Sequence, residues 1–143
     1  MPKANVGGTT LHYTSDGDER APPLVFANSL GADHTMWDPQ LPAFARHFRV
    51  IRYDARGHGE SAVTPGPYTV ETLARDAIAL LDHLRIGQAA FCGLSLGGAT
   101  PSALHLSVLS GVDVPADYPA CPGLRGQPCR AYQPIVNLHE DAP

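Results

Sequence analysis

Residues 91 to 100 read FCGLSLGGAT, and within them Gly93-Leu94-Ser95-Leu96-Gly97 has the spacing G-x-S-x-G. In that spacing a serine sits on a sharp turn between a strand and a helix, with its hydroxyl exposed. A serine hydroxyl is a weak nucleophile at its ordinary pKa. Its chemistry requires a base to take the proton and an acid to orient the base. The flanking glycines follow from the tightness of the turn, where a β-carbon on either side would clash. The alternative for the same residues is a glycine-rich turn without chemistry. A strand signal before the turn and a helix signal after it argue for the chemical reading.

The partners of Ser95 are harder to find. Downstream stand Asp113 or Asp117 and then His139, which give the order serine, acid, histidine. Their spacing works against them, because each further parallel strand needs a crossover of about a dozen residues. Asp113 follows Ser95 by only 18 residues. A triad using His139 would demand a different architecture. His105 lies ten residues along the same expected helix, about 15 Å from the serine by helical rise. The expectation is a nucleophile without its acid and base.

The elements that must hold the serine are legible upstream. Thr9 to Thr14 reads as a strand of an N-terminal hairpin, between Gly7-Gly8 and the turn signal Ser15-Asp16-Gly17-Asp18. Leu24 to Asn28, LVFAN, is a short apolar run suited to a buried strand. Trp37 to His47 reads as a short helix, with Pro39 in its first turn and Pro42 as a blemish. Arg49 to Tyr53 is the next strand, followed by a glycine-punctuated turn over residues 54–61. Thr69 caps the clearest helix, Val70 to Leu84, which Gly87 stops. Ala89 to Cys92 is the strand that feeds the serine turn. Alternation of strand and helix predicts an α/β fold with a parallel sheet.

Residues 101–143 read differently. They hold seven of the fourteen prolines and two of the three cysteines. Pro101 falls where an interior proline costs a helix about 3 kcal/mol. Only Ile135 to Leu138, IVNL, resembles a strand. The division expected is therefore residues 1–100, a regular α/β unit, and 101–143, an irregular proline-rich tail foreign to it. A tail read from a shifted frame would account for so abrupt a change, and translating the coding DNA in its other two frames tests that. Without further parallel strands, the strand before the serine is expected to become an exposed edge, with marginal stability and aggregation.

Three stretches together carry a family resemblance. Asn28-Ser29-Leu30-Gly31 precedes Met36-Trp37-Asp38-Pro39-Gln40, and Asp54-Ala55-Arg56-Gly57-His58-Gly59-Glu60-Ser61 has the form D-x-R-G-x-G-x-S. With the serine turn, in this order and with strands between them, they resemble the α/β-hydrolases. In detail NSLG, MWDPQ, YDARGHG, GPYT and FCGLSLGG look like the 3-oxoadipate enol-lactonases, over about residues 9 to 100. The resemblance implies an incomplete α/β-hydrolase fold: the N-terminal hairpin and the first parallel strands and helices, with an irregular C-terminal tail.

It also implies roles. Ser95 would be the nucleophile, and the backbone N–H groups of Leu96 and Leu30 the oxyanion-hole donors. Losing one such donor typically costs about 10²–10³ in rate. The substrate implied is a small anionic lactone or ester, hydrolysed without metal or organic cofactor. In such a family the Arg56 and His58 turn is structural. Among other histidines, His12, His47 and His83 are expected at surface or boundary positions, and His34 at the mouth of the pocket, in reach of substrate. Alternatives remain: a non-catalytic fragment or frame-shifted product, or another esterase or acyltransferase on the same scaffold.

Bulk properties narrow the classes. One domain is expected from 143 residues, and a net charge of −4 without blocks of like charge argues against a nucleic-acid face or a polybasic membrane anchor. The opening MPKANVGGTT lacks the apolar core of a signal peptide, so a cytoplasmic location is expected. Cys92, Cys121 and Cys129 form no C-x-x-C pair and read as reduced thiols. Nothing in the sequence speaks to oligomeric state.

Overall fold

The computed structural model describes residues 2–100 and the short strands 108–109 and 135–137. In chain order the elements are β1 (Lys3–Val6), β2 (Thr9–Asp16), β3 (Pro23–Ala27), a 3-10 turn (His34–Trp37) and α1 (Leu41–Phe44). Then come β4 (Arg49–Tyr53), α2 (Val70–His83), β5 (Gln88–Gly93), α3 (Leu96–Ala99), β6 (Val108–Leu109) and β7 (Ile135–Asn137). The described strands form one sheet in the order β1-β2-β4-β3-β5-β7-β6.

The centre of the sheet is parallel. β3 pairs with β4 on one side and β5 on the other, with Val25 opposite both Ile51 and Phe91. Successive residues on these strands point to opposite faces, and both faces are covered. Val25, Ala27, Ile51, Tyr53, Ala89 and Phe91 pack against Ala77, Leu80 and Leu81 of α2. Leu24, Phe26, Val50 and Ala90 pack on the other face against Phe44 and Phe48. Burial on both faces is why these strands read as continuous apolar runs rather than alternating ones.

α2 begins where the Thr69 hydroxyl accepts the Thr72 N–H, 3.1 Å away. It ends at Leu84, and the left-handed residue beyond is Arg85 (φ 57°), so termination precedes the expected Gly87. The expected helix over 37–47 is a 3-10 turn followed by a single helical turn. Pro39 and Pro42 withhold two backbone donors within four residues, and the segment closes with local turn bonds instead.

At the far side of β5 the expectation of an open edge is corrected. β7 pairs with β5 antiparallel, Ala89 opposite Val136 and Ala90 opposite Ile135, and β6 pairs with β7 in turn. The unpaired N–H and C=O groups along β5 offer a ladder that Ile135–Asn137 completes.

Candidate active site

Three connections leave the carboxyl ends of adjacent parallel strands: residues 28–33 after β3, 54–61 after β4, and Leu94-Ser95 after β5. The crossover from β3 to β4 lies on the Phe44 face, and α2, between β4 and β5, lies on the opposite one. Crevices of this kind, at strand carboxyl ends where crossovers diverge, are where open α/β sheets bind ligands.

Ser95 sits at the tip of the turn between β5 and α3 with φ 54° and ψ −114°. Among the described non-glycine residues only Arg85 shares a positive φ. A side chain in that region costs about 1–3 kcal/mol, which the surroundings must impose. They do so by close packing. A β-carbon on Gly93 would fall within 3.0 Å of Gly97 and Gly98 backbone, and one on Gly97 would collide with the Ala27 carbonyl and approach the Asn28 oxygen to 2.8 Å. The first turn of α3 thus folds back over β5 and rests on the end of β3. The Leu94 N–H donates to the Ala27 carbonyl at 3.2 Å and completes the join. Ser95 is exposed, and its hydroxyl makes no capping bond.

Leu30 lies on the loop after β3, two residues past the Asn28 carbonyl that Gly97 approaches. Ser29 to Ala32 form a tight turn, closed by the Ala32 N–H donating to the Ser29 carbonyl at 3.1 Å, with Gly31 at φ 76°. That angle at the third position of a turn is the reason for glycine there. Leu30 itself is 72% exposed. Neither its N–H nor that of Leu96 donates to another described residue. Both N–H groups are therefore unspent, one on the loop after β3 and one directly after Ser95.

The loops are anchored by buried polar groups. Asn28 donates through Nδ2 to the Tyr53 carbonyl and accepts from Trp37 Nε1, both at 2.9 Å. The Trp37 ring stacks on Phe26, centroids 4.6 Å apart. Asp54, fully buried, takes four N–H donors. His34 N (2.7 Å) and Nδ1 (3.0 Å) reach Oδ1, while His12 Nδ1 (2.8 Å) and Glu60 N (3.0 Å) reach Oδ2. Burial pushes the Asp54 carboxyl up, but the N–H groups of Glu60 and His34 and the rings of His12 and His34 together hold it below the ordinary value. Arg56 grips Asp76 of α2 through two nitrogens, at 2.8 and 2.6 Å, and reaches the Gly7 carbonyl. Its hydrogen bond to Asp76 raises its pKa further. The Cys92 thiol is pushed up to about 11 by burial and stays protonated.

Two expectations for histidine change. His12 is fully buried, not at a surface or boundary, because β2 lies between β1 and β4 and its ring finds the Asp54 carboxylate. His34 is buried too, its Nδ1 committed to Asp54 instead of a pocket mouth. His47 and His83 are exposed as expected. His58 Nδ1 lies 3.1 Å from the Arg56 carbonyl, within its own turn. His105, Asp113, Asp117, His139, Cys121 and Cys129 lie outside the described residues.

Comparison with known proteins fits this geometry. The alpha/beta hydrolase fold family matches residues 22–106, more than half of the chain. The chain belongs to the alpha/beta-hydrolase family. Over 90 residues it is 50% identical to 3-oxoadipate enol-lactonase 2 of Acinetobacter baylyi, covering 63% of this chain and 34% of that protein. Over 104 residues it is 48% identical to enol-lactonase 1 of the same organism, 73% of this chain and 38% of that one. The crystal structure of the enol-lactonase from Burkholderia xenovorans LB400 superposes with a TM-score of 0.71 at 54% identity, covering 72% of this chain and 40% of that one. This hydrolase chain therefore spans between a third and two fifths of the length of these relatives. No described helix is long and apolar enough to cross a membrane.

Proposed function

We propose that this α/β-hydrolase chain supplies the nucleophile half of a carboxylic-ester hydrolase acting on a small anionic enol-lactone. The observation that carries the proposal is Ser95, exposed and at positive φ on a turn that Gly93 and Gly97 permit, with the Leu96 N–H after it unspent. Similarity to enol-lactonases supplies the substrate class.

In this reading Ser95 Oγ adds to the lactone carbonyl while a base takes its proton. The carbonyl oxygen becomes an oxyanion, which the N–H groups of Leu96 and Leu30 stabilise. Collapse of that adduct breaks the ring C–O bond and expels an enolate, which takes up a proton and becomes the ketone. Water then hydrolyses the acyl-serine and releases the acid. The site is set to position and polarise, and what it needs besides is an imidazole.

Among the described residues no histidine is hydrogen-bonded to Ser95: His12 and His34 are bonded to Asp54, and His58 to its own turn. We infer that the chain by itself is inactive and becomes competent only when the rest of an α/β-hydrolase brings the base and acid to the elbow. A fluorophosphonate probe tests this. The chain alone should label no faster than Ser95→Ala, and adding the C-terminal portion of the Acinetobacter enol-lactonase should produce labelling at Ser95. Labelling of the chain alone that disappears on His139→Ala would overturn the inference and identify a self-sufficient enzyme.

A further inference from the structure

The loop carrying Leu30 is held at its two ends and little between them. At its start Asn28 is tied to the Tyr53 carbonyl and to Trp37. At its finish the His34 N–H and ring Nδ1 both reach Asp54 Oδ1. Tyr53 and Asp54 are consecutive, so the end of one strand, β4, fixes both ends of the loop. The stretch between, residues 29–33, is exposed or half-exposed, and its bonds among the described residues are local: the Ser29–Ala32 turn and the bonds that Asp33 accepts from Thr35 and Met36.

His12, His34 and Asp54 also have the composition of a metal site, with ligand atoms within 4.8 Å of one another. The hydrogen bonding speaks for protons instead. Each carboxylate oxygen already accepts two N–H donors. A carboxylate only accepts, so both imidazoles carry a proton on Nδ1. A divalent cation would have to expel both of those protons. His12 is fully buried and its Nε2 meets no partner, so the ring gains its one polar contact from Asp54.

We propose that Asp54 is a positioning residue for the Leu30 loop and that it acts through His34. The carboxylate, braced from behind by His12 and Glu60 N, holds the His34 end of the loop against β4. With Asn28 holding the other end, the Ser29–Ala32 turn keeps its Leu30 N–H in place after β3. The functional consequence rests on Leu30 being an oxyanion donor. The anchoring itself does not, and it is measurable without turnover.

Amide hydrogen exchange of the whole chain tests it, read at the Ala32 and residue-34 amides, with β3 and β5 amides as internal controls. His34→Ala removes the ring bond and leaves the rest of Asp54 satisfied. Because a hydrogen bond to a charged group is lost, exchange at those two amides should rise about tenfold or more, with the sheet unchanged. His34→Asn, whose Nδ2 can take the place of the ring Nδ1–H, should stay within about threefold of the parent. Three results would overturn the proposal: unchanged exchange in His34→Ala, equal exchange in the Ala and Asn variants, or acceleration spread evenly over β3 and β5. Thermal stabilisation by added Zn²⁺ that His12→Asn abolishes would show a metal in place of the protons, and would overturn it too. The probe-labelling experiment reads the reactivity of Ser95 and the exchange experiment reads the loop, so a failure of the first leaves the exchange result standing.

Discussion

Gly97→Ala is the sharpest test of how the serine turn is built. A β-carbon at residue 97 would lie under 3.0 Å from the carbon and oxygen of the Ala27 carbonyl and 2.8 Å from the Asn28 oxygen. All three are backbone atoms at the end of the central strand, so no rotamer change relieves the overlap. Reaching the 3.4 Å of ordinary contact with Asn28 alone means opening that distance from 2.8 Å, and α3 must retreat from β3 by more than half an ångström. Overpacking in a filled core costs about 1–3 kcal/mol, and rigid neighbours place this case at the upper end. For a unit of about 100 residues, about 3 kcal/mol lowers Tm by roughly 12 °C or more. Gly98→Ala is the control one residue on, since its β-carbon would meet the Gly93 carbonyl, its oxygen at 3.3 Å and its carbon at 3.7 Å. It should cost under about 1 kcal/mol. Thermal and urea unfolding followed by circular dichroism measure both. Melting temperatures of the two variants within a few degrees of each other would refute the steric account of the elbow.

Two further perturbations address the buried charges. Asp54→Asn puts an NH₂ where an oxygen receives two N–H donors, so at least two charge-assisted bonds are lost, about 3 kcal/mol by urea denaturation; a loss below about 1 kcal/mol would refute the role of the carboxylate as a hub. The same group sets an acid limit: its native pKa is depressed, so its contribution is complete above the ordinary value of 3.8 and fades as pH falls through the native one. Tm measured from neutral pH downwards should therefore drop in acid, and Asp54→Asn should flatten that drop. Arg56→Met strands Asp76, whose side chain is 3% exposed, and should cost about 3–5 kcal/mol; a neutral result would show that α2 needs no charge bridge to the β4 turn.

Much of the architecture was legible because apolar runs and caps are local signals. LVFAN and RVIRY announce strands buried on both faces, and Thr69 announces the start of α2, since each depends on residues a few positions apart. Ser95 was legible for the same reason, its glycines lying within five residues. The Asp54 hub was not, because its partners come from positions 12, 34 and 60, and no periodicity links a histidine on β2 to a carboxylate forty-two residues on. Its one local trace is a charged residue directly after a strand whose last four residues are buried. Such a group must find donors or leave the interior. The 37–47 segment misled because its apolar spacing is helical while its prolines forbid the bonds.

The same distinction between local and distant signals explains the edge of the sheet. On the side away from β3, a parallel neighbour of β5 would need a crossover of about a dozen residues or more. What pairs with β5 is three residues, Ile135–Asn137, running antiparallel. A backbone ladder asks only for unpaired N–H and C=O groups and a short extended partner, so it is satisfied by almost any strand-like stretch. A triad is not so permissive: it needs an imidazole within about 3 Å of one oxygen and a carboxylate behind it. A sheet edge can therefore be capped by a tail that supplies hydrogen bonds without supplying chemistry. The Ser95 elbow is stable in geometry for reasons lodged in Gly93, Gly97 and the end of β3, all of them upstream of that tail. Building the serine turn and supplying a base to it are separate demands on the chain, and the residues that meet the first lie within positions 23 to 99.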